Sequence, residues 1–143
     1  MNKDKLKIGV VKSANTSQLV ELYKDAGWWE EENDNQDPEF LNKIIKGSFC
    51  FVIVKYKTRI IGMGRAISDG VSDAYIQDVA VHSDFRSQGI GIMIMDAIIE
   101  YLKANKISWI GLISEPKAVN FYKRYGFSTM VDYVPFLLKE SNL

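Results

Sequence analysis

The sequence holds one cysteine, one histidine and three prolines in 143 residues. With Cys50 alone no intramolecular disulfide can form, and cysteine usage gives no sign of an oxidising compartment. His82 has no Cys or His partner from which to build a metal site, so no metal is expected. So few prolines beside 47% hydrophobic residues exclude a collagenous, low-complexity or disordered chain. Net charge is lacking too: eighteen Lys+Arg balance eighteen Asp+Glu, without the basic excess of a general nucleic-acid binder. Long apolar runs are also missing. The richest, Ile90 to Ile99, is interrupted by Gly91 and Asp96 and falls far short of the ~20 residues that span a bilayer. The start, Met1-Asn2-Lys3-Asp4-Lys5, is charged, with no stretch of signal-peptide character behind it. The expectation is a cytoplasmic domain with neither nucleic-acid nor membrane partners.

What is present reads as a single domain over 1–143, since no internal repeat and no Pro/Gly/Ser-rich linker divides it. Lys5 to Val11 is predicted as a strand. A helix follows, with Asn15 as N-cap and Gln18 three residues on in a capping-box arrangement. Its apolar positions are Leu19, Leu22, Tyr23 and Ala26, and Gly27 is its stop. Asp37-Pro38 opens a second helix, buried through Phe40, Leu41, Ile44 and Ile45, with Gly47 at its end. Ser48 to Lys55 and Arg59 to Ile67 form an antiparallel hairpin, and Ala74 to Val81 is a further strand. Gln88 to Asn105 is the longest helical pattern. Ser108 to Ile113 is a strand, Pro116 to Tyr125 a helix, and Tyr133 to Lys139 a closing strand. This order predicts a mixed α/β domain around a central sheet.

The most informative stretch runs from Asp78-Val79-Ala80-Val81 through Arg86-Ser87-Gln88-Gly89-Ile90-Gly91. A strand ends, a loop carries an arginine, and two glycines enter the long helix. The first N–H groups of a helix lack internal partners, and its dipole favours anions there. Gly89 and Gly91 would let a phosphate approach those groups, and Arg86 supplies a charge suited to phosphate oxygens. A dinucleotide fingerprint would need a third glycine at Ile94, and a P-loop would need Gly-Lys-Ser/Thr where Ile92-Met93 stand. The alternative is a helix whose glycines serve close packing on the sheet.

A second segment adds to this. In Ala118-Val119-Asn120-Phe121-Tyr122-Lys123-Arg124-Tyr125-Gly126-Phe127, a Phe-Tyr pair precedes the helix stop at Gly126. With Arg86-x-x-Gly89-x-Gly91, it makes the chain resemble the GNAT superfamily of N-acetyltransferases, whose signature is Arg/Gln-x-x-Gly-x-Gly/Ala after the fourth strand. The resemblance covers nearly the whole chain. Gly62-Met63-Gly64-Arg65-Ala66, Asp78 to Val81, and Ala118 to Phe127 look more specifically like small bacterial and archaeal members and the plastid arylalkylamine acetyltransferases of plants. One position departs: many members carry a cofactor-contacting Asn where this chain has Glu115, and Asn120 is the candidate substitute.

The resemblance implies a twisted mixed sheet of about six to seven strands with about four helices, and acetyl-CoA as donor, attacked directly by an amine. The pyrophosphate would lie on the backbone of Arg86, Ser87, Gln88, Gly89, Ile90 and Gly91. Pantetheine would run beside Val79, Ala80 and Val81 as an added strand would, with the Val79 N–H facing the thioester carbonyl. Tyr122 matches the family's general acid. A base or water wire must deprotonate the amine: Tyr75 matches a position where the family often places a base, and Asp78 is either a base through water or a buried acid hydrogen-bonded to backbone. Alternation places Tyr75, Gln77, Val79 and Val81 on one face and Ile76, Asp78 and Ala80 on the other, so Tyr75 would share the cofactor's side.

Among the remaining residues, His82 reads as an exposed loop residue, and Cys50 as a buried apolar cysteine. Met63, Met93 and Met95 read as core or cofactor packing. From Asp25 to Glu39 there are seven acids and no Lys or Arg, with Trp28-Trp29 among them. One reading is a solvated loop anchored by its tryptophans. The other, drawn from the family, puts Trp28, Trp29 and Glu31 beside the acceptor, where acids attract a cationic amine and an indole stacks on it. The expected activity is acetylation of a small primary amine, an arylalkylamine or polyamine. The alternatives are acetylation of a protein lysine or N-terminus, and a weakly catalytic acyl-CoA-binding regulatory module. A homodimer is what the family suggests.

Overall fold

The fold is that of a computed structural model, described over residues 1–29 and 38–139. It comprises two compact units, Met1–Leu112 and Ile113–Leu143.

In the first unit the elements run β1 (Leu6–Val10), α1 (Thr16–Asp25), α2 (Pro38–Gly47), β2 (Cys50–Tyr56), β3 (Arg59–Ser68), β4 (Asp73–Val81), α3 (Ile90–Ala104) and β5 (Trp109–Leu112). The five strands lie in sequence order in one sheet. β1 to β4 are antiparallel, and α3 carries the chain across so that β5 runs parallel to β4. The mixed α/β architecture expected from the sequence is present, with five strands among the described residues.

Helices cover both faces of the sheet. On one, Leu19, Leu22 and Tyr23 of α1 and Leu41 and Ile45 of α2 pack with Phe51, Ile53, Ile60 and Met63. On the other, α3 lies close because β3 offers glycines. A Cβ built on Gly64 would stand 2.7 Å from Ile94 Cγ2 and 3.0 Å from Ile98 Cδ1. Alanine there would overpack the interface, at a cost of roughly 1–3 kcal/mol. α3 buries Ile90, Ile94, Met95, Ile98 and Leu102, a stripe at helical spacing.

Asn15 caps α1, its Oδ1 accepting from the Gln18 N–H at 3.1 Å. Gln18 does not complete the capping box: its side chain accepts from the Ile60 N–H (2.7 Å) and donates to the Thr58 carbonyl (3.4 Å), tying α1 to the β2–β3 turn. Phe40, expected in the buried stripe of α2, is 48% exposed, whereas Leu41 and Ile45 are buried. The N-cap assigned to Asp37 lies outside the described residues. Cys50 is buried and free, and burial pushes its thiol up to about 11.

The second unit opens with a 3-10 turn, Pro116–Ala118, leading into α4 (Val119–Tyr125). The Gly126 and Phe127 N–H groups return to the Tyr122 carbonyl at 3.1 and 3.0 Å and close the helix. Residues 133–139, expected as a strand, are described without strand pairing. A strand needs a neighbour for its backbone groups, and the apolar pattern by itself does not supply one.

Candidate active site

The centre of interest is a break in β4. Along β3, Met63 pairs with Ala80 and Arg65 with Gln77, so two residues of β4, Asp78 and Val79, oppose the single residue Gly64. This is a β-bulge, and Asp78 takes it up at φ +55. Only Asp73 to Ile76 of β4 pair with β5. Beyond Ile76 no strand of the described sheet lies along that edge of β4.

The bulge overturns the facing deduced from strict alternation. Asp78 points to the α1 side, as do Gln77, opposite Arg65, and Ala80, which packs on the α1 core. Val79 points to the α3 side, its Cγ2 near Gly64. Tyr75 therefore shares a face with Asp78, and Val79 with Ile76. One extra residue shifts the period of two by one step.

On the α1 face Asp78 is the hub of a polar cluster. Its Oδ2 accepts from Tyr23 Oη at 2.9 Å and from Arg65 Nε at 2.8 Å. Arg65 also donates to Gln77 Oε1 (3.2 Å) and Ser48 Oγ (3.4 Å). Burial, then the Asp78 charge and its hydrogen bond, raise the Tyr23 hydroxyl well above its ordinary range, against a smaller opposing effect of Arg65. Trp28 and Trp29 stand edge-on to the Tyr23 ring at 5.9 and 6.3 Å. The structure thus joins both tryptophans to Asp78 through Tyr23. Glu31 lies outside the described residues.

Next along the same face, Tyr75 is half exposed and meets Trp109 of β5 at 5.2 Å between ring centroids. The indole lies against Gly111, the residue paired with Tyr75, in space a side chain there would occupy.

The loop between β4 and α3 is held from α1. Asp25 accepts from the Ser83 N–H (2.9 Å) and hydroxyl (2.7 Å) and lies 3.4 Å from Arg86 Nη2. Burial alone would raise this carboxyl; the Ser83 bonds, with His82 and Arg86, outweigh it and hold Asp25 below the usual range. Arg86 Nε donates to the Val81 carbonyl at 3.2 Å, and the side chain is half exposed. His82 is not the exposed residue expected. Its side chain is 15% exposed, and Nδ1 accepts from the Asp84 N–H while Nε2 lies 3.3 Å from Arg59. Gly89 caps α3 at φ +83 with no side-chain cap, and a Cβ there would meet nothing within 4 Å. Close packing on the sheet therefore does not explain Gly89.

In the second unit, Tyr122 is partly buried, edge-on to Phe121 (5.1 Å) and Phe127 (5.9 Å). Burial, then the Glu115 charge, raise its hydroxyl above the ordinary value. Glu115 pairs with Lys117 at 3.6 Å, and Asn120 is exposed on α4.

The Acetyltransferase (GNAT) family model matches residues 16–127, which include the bulged strand and the Arg86-to-Gly91 loop. The chain belongs to the GNAT acetyltransferase family. It is 37% identical over 120 residues to an uncharacterized N-acetyltransferase of Gracilaria tenuistipitata var. liui, covering 84% of this chain and 65% of that protein. It is 38% identical over 133 residues to a chloroplastic GCN5-related N-acetyltransferase of Arabidopsis thaliana, covering 90% of this chain and 65% of that protein. The chain spans just under two-thirds of these curated relatives' length. Its fold is similar to the crystal structure of a probable acetyltransferase from meticillin-resistant Staphylococcus aureus, at TM-score 0.79 and 27% identity, over 94% of this chain and 98% of that one. The GNAT resemblance drawn from the loop and the Phe-Tyr segment is borne out.

Tyr23, Asp25, Arg65 and Trp109 were not assigned to the site from sequence. A signal existed for Arg65: it is a charge inside the apolar run Gly62–Ile67, as Asp78 is inside its own run. Lone charges in buried strands are paired, and these two satisfy each other.

Proposed function

We propose that this GNAT domain transfers the acetyl group of acetyl-CoA to a primary amine of a small cationic molecule. The observation that carries the proposal is the entry to α3. Gly89 sits at φ +83 in open space before an uncapped helix start, beside a half-exposed arginine anchored by Asp25. That arrangement suits a diphosphate: oriented N–H groups, the positive end of a helix dipole and one fixed cation. In this reading the backbone from Arg86 to Gly91 holds the pyrophosphate. The edge of β4 from Val79 to Val81, which no strand of the described sheet covers, takes the pantetheine by strand addition. Asn120 is a further candidate contact.

Acetyl-CoA supplies the activated acetyl thioester; the chain's residues position it and manage protons. The Val79 N–H, at the bulge, would donate to the thioester carbonyl, and by the family pattern Tyr122 Oη would donate to the departing sulfur. A phenol near ~10 is already weaker as an acid than a thiol near ~8.5, and burial raises Tyr122 further. Tyr122 therefore serves as a hydrogen-bond donor more than as a full proton source. An alkyl ammonium near ~10.4 must lose a proton before attack. Tyr75 and Asp78 share one face, so we assign to them the water path by which the ammonium's proton would leave for solvent, and to Asp78 also the support of the bulge.

Support for a small cationic acceptor comes from the acids and tryptophans between Asp25 and Glu39, and from the position of Trp28 and Trp29 against Tyr23, whose hydroxyl donates to Asp78. A panel of arylalkylamines, polyamines and lysine- or N-terminus-bearing peptides, assayed by release of free CoA thiol, tests this. Turnover of a small amine with higher kcat/KM than any peptide is expected. Preference for peptides would transfer the assignment to protein acetylation. A thermal shift with acetyl-CoA but no turnover would leave a binding module.

A further inference from the structure

We infer that His82 is a positioning residue for the loop 82–86, and that a proton on its ring loosens that loop. Resting on the reading of the α3 start as a CoA diphosphate site, this makes cofactor affinity depend on pH. His82 ties the loop to the sheet. Its N–H donates to the Ile61 carbonyl of β3 (2.8 Å), and its carbonyl accepts from the Phe85 N–H (2.9 Å). Nδ1 accepts from the Asp84 N–H at 3.1 Å, a bond to the backbone two residues on, as in an Asx turn. The ring stands edge-on to Phe85 at 6.2 Å, and the Arg59 guanidinium lies 5.6 Å from the same Phe85 ring.

Each ring nitrogen faces both a donor and a carboxylate. Nδ1 has the Asp84 N–H and, at 3.7 Å, Asp84 Oδ2. Nε2 has Arg59 Nη2 of β3 at 3.3 Å and Asp25 Oδ1 of α1 at 3.9 Å. Arg86, held on Asp25 Oδ2, is a further charge on the same loop. A neutral imidazole has one lone pair with which to serve a donor, and an imidazolium has none. Proton uptake therefore takes the acceptor from the Asp84 N–H and turns both ring N–H groups toward Asp84 and Asp25. Asp25 Oδ1 is also the oxygen that accepts from the Ser83 hydroxyl. The imidazolium thus competes with the clamp that holds Ser83 and Arg86. Both changes act in one direction, toward a looser loop and a less fixed Arg86. Histidine ordinarily changes charge between about pH 5 and 8, which sets the window to examine. Asp25 stays charged across it, since its carboxyl is held below the usual range.

The test is calorimetric binding of CoA to the full chain at the two ends of that window, with amide exchange at Asp84 measured in the free chain. His82→Asn puts an acceptor that does not titrate where Nδ1 stands, and should match the unmodified chain at the alkaline end. At the acid end the unmodified chain should bind about fivefold more weakly than His82→Asn, the worth of one hydrogen bond, and exchange faster at Asp84. The comparison is made between proteins at each pH because the phosphate monoester of CoA itself titrates at ~6. His82→Ala should bind weakly and exchange fast at both ends. The same pH dependence in the unmodified chain and His82→Asn overturns the proposal. So does tighter binding by the unmodified chain than by His82→Asn at the acid end, or Asp84 exchange that is equal in all three proteins. An unmodified chain that binds no CoA at either pH overturns the cofactor reading and this proposal together.

Discussion

Arg65 Nε lies 2.8 Å from Asp78 Oδ2, and this pair spans the place where the β3–β4 ladder breaks step. The residue at φ +55 is thus the residue whose carboxylate is held from the neighbouring strand. A non-glycine residue in that conformation costs roughly 1–2 kcal/mol, which a charge-assisted hydrogen bond of ~2 kcal/mol is large enough to offset.

Removing either partner should therefore loosen the bulge. Arg65→Ala or Asp78→Ala is expected to lose about 2 kcal/mol, with a fall in Tm of roughly 6 °C. The double variant should lose much less than the sum of the two. A thermal-melt double-mutant cycle checks this, and strict additivity would show that the pair does not support the bulge.

Gly89→Ala meets no steric obstacle in the free protein, so its cost is conformational, about 1–2 kcal/mol of stability. If the glycine serves an anion at the start of α3, calorimetric affinity for CoA should fall together with Tm. A variant that loses stability but binds CoA as before would detach Gly89 from the cofactor.

Tyr122→Phe should lower turnover far more than CoA affinity, since it removes one hydroxyl and keeps the ring contacts. Because burial and Glu115 raise this hydroxyl, Tyr122 stays protonated across the neutral range. Its contribution to stability is present below its ordinary value of 10.0 and is lost as pH rises through the higher folded value. Glu115→Gln should lower the pH at which the folded chain forms this tyrosinate and so shrink that alkaline loss, which ultraviolet titration of tyrosinate can follow.

Asp25 behaves in the opposite sense. Its carboxyl is held below its ordinary value of 3.8, so the stability it contributes is present above that pH and lost as pH falls through the folded value. Asp25→Asn should flatten acid unfolding in that window. At neutral pH it should weaken CoA binding by releasing Arg86 and Ser83. Unchanged affinity would mean that the clamp does not organise the loop.

Much of this was legible in the chain. Helical spacing identified α1 and α3, and turn residues marked the β2–β3 hairpin. The Arg86-x-x-Gly89-x-Gly91 pattern located the loop that the structure holds before α3. Phe40 was misread because helical spacing defines a stripe but not its width. His82 was misread because its partners, Asp84 and Arg59, include a residue 23 positions away. The facing of Tyr75 and Val79 failed for a sharper reason: alternation assumes an unbroken ladder, and nothing within β4 alone marks the extra residue.

The sequence by itself determined the local conformations and the family, since both depend on residues close along the chain. Tertiary structure alone decided which charges met. Asp25, counted among seven acids, is engaged by Ser83 and Arg86, and Asp78 by Arg65 and Tyr23. The physical reason is distance: Coulomb and hydrogen-bond energies are set by ångströms between atoms, and Tyr23 and Asp78 are 55 residues apart but 2.9 Å from one another.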